Sequence, residues 1–164
     1  MIDKCSNPEL FPALSRLLNY NRYFNLLKSD VCSYKNTYDY IGKMPNQFKD
    51  WIKLFDGGLL FTTSMFSTKK KAGVFSKLLT FSEINSIDFK LENNIHPDVI
   101  CFAMTNYGNY YCYVKNENSE CIYEWDTERC ALIIKWNSFA EWLNDQMDFA
   151  DSLIQDDLLD PIGE

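Results

Sequence analysis

The chain has 164 residues, with sixteen Lys and Arg against twenty-three Asp and Glu, 46% apolar residues and 16% aromatic ones. A chain of this size buries roughly 70% of its unfolded surface and builds a core without staples, yet it is too short for two ordinary domains. No run approaches the ~18 apolar residues of a membrane span, and Met1 to Pro8 lacks the apolar core of a secretory signal, so a soluble cytoplasmic domain is expected.

In chain order, Ser6 or Asn7 as N-cap, Pro8 in the first turn, and Leu10, Leu14, Leu17 and Leu18 at helical spacing predict a first helix, continuing, with room for a break near Asn19 to Asn21, through Tyr23, Phe24 and Leu27. Residues 29–42 have no clear period and read as a loop or short helix. Pro45 opens a second helix with Phe48, Trp51, Ile52 and Phe55 on one stripe. Asp56-Gly57-Gly58 is expected to close it, because glycine takes the left-handed conformation past the last turn. Leu59 to Thr63 reads as a strand, Lys69 to Gly73 as a solvated loop, and Ser82 to Leu91 as a short helix capped by Ser82.

The second half is a series of strands at Val99 to Met104, Tyr110 to Val114, Cys121 to Trp125 and Cys130 to Lys135, joined by short polar turns. Turns this short force antiparallel neighbours, since a parallel return needs a crossover of about a dozen residues. Ser138 and Glu141 form a capping pair, and Phe139, Trp142, Leu143, Met147, Ala150 and Ile154 follow as the apolar stripe of a last helix. The fold class expected is α+β: a twisted antiparallel sheet, a meander in its C-terminal half, flanked by helices. It forms a single domain over residues 1–155, and 156–164 is an acidic tail whose order the sequence leaves open.

The negative charge is unevenly placed. From Glu141 onward there are eight carboxylates and no Lys or Arg, leaving sixteen cations against fifteen carboxylates in the first 140 residues. Such a segment repels nucleic acid and anionic lipid and attracts a protein with a basic surface. Asp145, Asp148, Asp151, Asp156 and Asp157 are therefore candidate contacts for charge, and Tyr107, Trp125 and Asp126 near the hairpin ends are candidates for shape. Truncation near Ala150 is expected to weaken a cationic partner without unfolding the sheet.

The chemistry of catalysis is poorly provided for. His96 is the only histidine and precedes Pro97 in a loop, and no nucleophile elbow, phosphate-cradling glycine loop or zinc-protease helix is present. The cysteines at 101, 112, 121 and 130 recur at strand-to-strand spacing, which suits one apolar thiol per neighbouring strand and not a metal motif. No cofactor or metal is expected. Tyrosines are abundant, with Tyr34, Tyr38 and Tyr40 in one group and Tyr107, Tyr110, Tyr111 and Tyr113 in another, a residue type enriched at protein interfaces.

The ordered set of Met44-Pro45 to Trp51 with Asp56-Gly57-Gly58, Ile100 to Ala103, Gly108-Asn109, Ile122-Tyr123-Glu124-Trp125-Asp126 and Ser138-Phe139-Ala140-Glu141-Trp142-Leu143 resembles the SUKH superfamily. That superfamily includes fungal cell-wall assembly regulators and bacterial immunity partners of polymorphic toxins. The resemblance implies an antiparallel sheet flanked by helices and a non-enzymatic protein-binding function. The first expectation is an immunity protein that neutralises a cognate toxin, a nuclease being one target class, and the alternative is an intracellular scaffold or regulator with an endogenous partner. The chain departs from the pattern with Asp56 in place of asparagine, with Tyr107-Gly108-Asn109 in place of Gly-Gly-Asp, and with Val114 where relatives tend to have aspartate, which alters any groove those carboxylates shape.

Overall fold

The computed structural model describes residues 7–29, 44–69, 73, 76–115, 117 and 119–162. Tyr34, Tyr38 and Tyr40, the loop reading of 30–42 and the Lys70-Lys71-Ala72 stretch lie outside the described residues.

Helix α1 (Leu10–Leu17) starts behind Asn7, whose Oδ1 accepts the free amides of Glu9 and Leu10 at 3.0 and 3.2 Å, and it buries Leu10, Ala13, Leu14 and Leu17 along one stripe. One 3₁₀ turn, Leu18–Tyr20, ends it. The helix expected to continue through Tyr23, Phe24 and Leu27 is instead strand β1 (Phe24–Lys28). Five residues with partial burial on both faces do not separate the two periods, and pairing with the next strand decides for extended chain.

Helix α2 (Asn46–Leu54) passes directly into β2 (Phe55–Leu60), so Asp56-Gly57-Gly58 lies inside a strand and is not the helix stop that was expected. The glycines are required there for another reason. Gly57 and Gly58 have φ of 82° and 121°, and a Cβ on Gly58 would stand 2.3 Å from the Asn25 carbonyl oxygen of β1. Asp56 is buried, and its Oδ1 accepts the Thr68 amide at 2.6 Å.

The expected strand Leu59 to Thr63 is in fact a tight hairpin, β2 turning into β3 (Thr63–Met65) through Phe61 and Thr62. Phe61 takes φ of 54° without glycine's freedom, held by burial against Tyr20, whose ring centroid is 5.5 Å away. Residues 82–91 form two short helices, α3 (Phe81–Ile84) and α4 (Ile87–Glu92). Their caps are Thr80 and Ser86, with Thr80 and Glu83 forming a reciprocal capping box; Ser82 caps neither.

Strands β4 (Val99–Met104), β5 (Tyr110–Val114), β6 (Ile122–Asp126) and β7 (Ala131–Trp136) complete a seven-stranded antiparallel sheet in the order β1 to β7. Helix α5 (Phe139–Gln155) follows, with Ser138 Oγ accepting the Glu141 amide at 3.1 Å. The protein is thus α+β, as the pattern implied. None of the helices among the described residues is long and apolar enough to cross a membrane.

Helices α1, α2 and α5 cover one face of the sheet, where Phe48, Phe102, Tyr111, Phe139 and Trp142 interlock with ring centroids 4.7 to 5.8 Å apart. The short helices α3 and α4 cover the other face over Val99, Cys101, Tyr110, Cys112, Tyr123 and Trp125. Of the four spaced cysteines, Cys101 and Cys112 are buried register partners on β4 and β5, whereas Cys121 and Cys130 precede their strands and only Cys130 is exposed. Burial pushes the Cys101 thiol up to about 12.

Beyond α5, Asp157 takes the left-handed conformation and Leu158 N donates to the Leu153 carbonyl, which turns the chain back. Leu159 packs on the core, and Ile162 N donates to the Arg22 carbonyl at 2.6 Å. Cutting after Ala150 therefore removes Ile154 and Leu159 from the core. It also deletes Asp151, which bonds Tyr20, so the charge is not separable from the fold in the way the sequence suggested.

Candidate partner-binding groove

The β4–β5 turn is closed by Thr105 and Asn109, each donating its amide to the other: Thr105 N to Asn109 O at 2.9 Å, and Asn109 N to Thr105 Oγ1 at 2.9 Å. This turn lifts Tyr107 to the hairpin tip, where the ring is 63% exposed while its hydroxyl reaches back to donate to Glu124 Oε1 at 3.0 Å. Asn109 Nδ2 donates to the same oxygen at 2.7 Å, and Asn109 Oδ1 accepts the Thr127 amide at 3.3 Å, tying this hairpin to the β6–β7 turn. The asparagine suits its neighbour. An aspartate at 109 would place two carboxylates in hydrogen-bond contact with no proton between them.

Glu124 is only 3% exposed, on the same face of β6 as Ile122, and lines a groove of about 400 Å³ between the sheet and α5. Tyr107, Tyr111, Trp136, Ile134 and Phe149 supply most of the walls, and Asp145 stands at the rim. Gln146 forms the far side: its Oε1 accepts from Thr63 Oγ1 at 3.2 Å and its Nε2 donates to Tyr111 OH at 3.3 Å. The phenols of Tyr107 and Tyr111 are raised from their ordinary range, first by burial, so both remain protonated donors at neutral pH. Phe149 and Ile134 are half exposed, at 50% and 45%, so the groove carries an apolar rim around a carboxylate floor.

Of the residues singled out from sequence, Tyr107 and Asp145 meet in this groove. Trp125 does not; it is a core side chain on the opposite face, packed with Phe66, Tyr110 and Cys112. Asp126 closes the β6–β7 turn, accepting the amides of Glu128 and Arg129 at 2.9 and 2.8 Å. Asp148 and Asp151 face α1, where Arg16 Nη2 donates to both at 2.6 and 3.1 Å and Tyr20 OH donates to Asp151 Oδ1 at 2.9 Å. Asp156 is the C-cap of α5, and Asp157 follows it in the left-handed turn, both exposed. The five aspartates therefore form three separate environments instead of one row.

Glu124, Gln146 and Phe149 were not singled out in advance. The available signal was alternation along β6, which puts Glu124 on the inward side with Ile122. His96 is an exposed loop residue whose Nδ1 accepts the Asp98 amide at 3.2 Å. A larger cavity of about 660 Å³ lies on the opposite face between Asn25, Phe66, Leu79 and Met104; among the described residues only Lys77 brings charge to it, and no set of polar groups converges there.

Residues 39–145 match the SMI1 / KNR4 family (SUKH-1). The chain belongs to this family. A search of the curated proteins finds no match. The SUKH-1 segment runs from before α2 into the middle of α5, so it contains most of the groove, including Tyr107, Glu124 and Asp145. Arg16, Tyr20, Asp148 and Asp151 all fall outside it.

Proposed function

We propose that this chain is a non-enzymatic protein-binding module of the immunity type, acting in the cytoplasm, which holds a toxin domain bearing a basic surface. The observation that carries the reading is the groove itself: a nearly buried carboxylate, Glu124, and a rim carboxylate, Asp145, framed by the exposed side chains of Tyr107, Phe149 and Ile134. A rigid apolar rim supplies contact area, and the acids inside it favour a cationic partner and speed its encounter. A nuclease, which needs a cationic cleft for phosphate, is the toxin class such a surface suits. Family membership supports the binding role and is equally compatible with a regulator of the cell-wall assembly type.

The test is co-expression with the toxin encoded beside this gene. Protection and a complex that weakens between low and high salt are expected, and the double variant Tyr107→Ala/Phe149→Ala should abolish both. Absence of protection and of a complex with the unaltered chain would remove the immunity reading. A lone housekeeping gene context would favour the regulator.

A further inference from the structure

We infer that the groove is a receptor for one arginine side chain of the partner, with Glu124 as the anion it seats on. This rests on reading the groove as the partner surface. Its starting point is an imbalance in the groove's charges. Among the described residues the lining holds two carboxylates, Glu124 and Asp145, and no Lys, Arg or His. Glu124 is only 3% exposed, and among the described residues its hydrogen-bond partners are neutral: the hydroxyl of Tyr107 and the amide of Asn109, both on Oε1. Oε2 accepts no hydrogen bond from the described residues, although Glu124 lines the cavity.

A carboxylate taken from water without a counter-ion is costly, and a position alternating with Ile122 would be more stably filled by an apolar side chain. A residue that breaks the local pattern in this way is expected where the missing partner comes from outside. The occupant must then be a cation that tolerates desolvation. Guanidinium is more weakly hydrated than ammonium and presents a planar fork of donors, so it can bond Oε2 while directing a second N–H toward the Asp145 rim. The walls fit the rest of it. Tyr107, Tyr111, Trp136 and Phe149 offer ring faces for the guanidinium plane, and Ile134 with the Phe149 edge covers an aliphatic stem. About 400 Å³ is near the lower bound of small-ligand sites, which suits a single long side chain and not a helix.

The probe is Nα-acetyl-argininamide titrated into the full chain and followed by the NMR signals of the Tyr107 ring and the Trp136 indole, with the lysine and citrulline amides as controls. Saturable shifts at about millimolar argininamide are expected, with no response to the citrulline amide, which has the same shape without charge. Glu124→Gln, which keeps the acceptor for Tyr107 and Asn109, and Asp145→Asn, an exposed rim change with no folding role, should each weaken the response, the first by about tenfold. No argininamide response, an equal response to the lysine amide, or binding unchanged in both variants would overturn the inference. The two claims fail separately. Protection lost in Tyr107→Ala/Phe149→Ala without any argininamide binding leaves the partner face and removes the arginine pocket. Argininamide binding with protection intact in that double variant leaves the pocket and removes the partner face.

Discussion

Helix α5 presents Asp145 to the groove on one flank and Asp148 and Asp151 to α1 on the other, and the two flanks differ in what answers the charge. Toward α1, Arg16 and Tyr20 meet Asp148 and Asp151 directly. Burial alone would lower the Arg16 guanidinium, yet its hydrogen bonds to Asp148 and Tyr20 outweigh that and raise it, so the guanidinium stays charged. Toward the groove, Glu124 meets the neutral Tyr107 hydroxyl and Asn109 amide, and among the described residues no cation lines the cavity that it shares with Asp145. The first arrangement closes on itself and stabilises the packing of α1 on α5. The second is left open. Net charge along the sequence does not distinguish the two, because what matters is whether the fold brings a cation to each carboxylate.

The largest expected effect separates binding from folding. Tyr107→Ala/Phe149→Ala should weaken the complex by 2 kcal/mol or more, on the order of a hot-spot loss, while the unfolding free energy of the free chain in urea falls by only about 1.5 kcal/mol, the hydrogen bond that Tyr107 gives Glu124. A large fall in stability instead would mean that these rings belong to the core.

A second effect concerns both regions together. Burial raises the phenols of Tyr20, Tyr107 and Tyr111 from a reference value near 10, so the stability they contribute is complete below about pH 10 and is lost as pH rises through their folded values. The Cys101 thiol, raised from 9.0 to about 12, acts in the same direction over that window. Lys90, lowered by burial, opposes them, gaining stability as pH rises toward 10.5, but it is a single group. Urea unfolding across this range should show a net fall above about pH 10, and a flat profile would contradict the burial assigned to these rings.

Arg16→Met tests the closed flank. It should cost about 1 kcal/mol, the upper range for a partly exposed ion pair, because the Arg16 side chain is 32% exposed, Asp148 is exposed and Tyr20 still bonds Asp151. Partner affinity should be unchanged; a loss of affinity equal to that of a groove variant would erase the distinction between the flanks. The smallest effect is chemical: iodoacetamide at neutral pH should modify Cys130 and leave Cys101 and Cys112 intact until the chain unfolds, as mass spectrometry of the labelled protein would show.

The regular parts of this architecture were legible in advance. Strands β4 to β7 and the Ser138 cap follow from alternation, turn residues and a capping pair, all of which act within a few positions. What was misread depends on distant neighbours. β1 is a strand because β2 pairs with it, Phe61 can turn because Tyr20 holds its ring, and Gly57-Gly58 serve a close strand approach instead of a helix stop. The groove was half visible for the same reason. Tyr107 and Asp145 stood out by type and position, whereas Glu124 gains its meaning only when Tyr107, Asn109 and α5 close around it. The brace was hidden, since Arg16 lies 132 residues from Asp148.

The most direct measurement compares Asp145→Asn with Asp148→Asn, two single-charge changes at exposed positions three residues apart on α5, in calorimetric titration with the toxin domain proposed as partner at a fixed ionic strength. Weaker binding for Asp145→Asn by about tenfold, with Asp148→Asn unchanged in affinity and altered only in stability, is the predicted result. Equal losses, or a loss confined to Asp148→Asn, would contradict the assignment of the open flank of α5 as the contact surface.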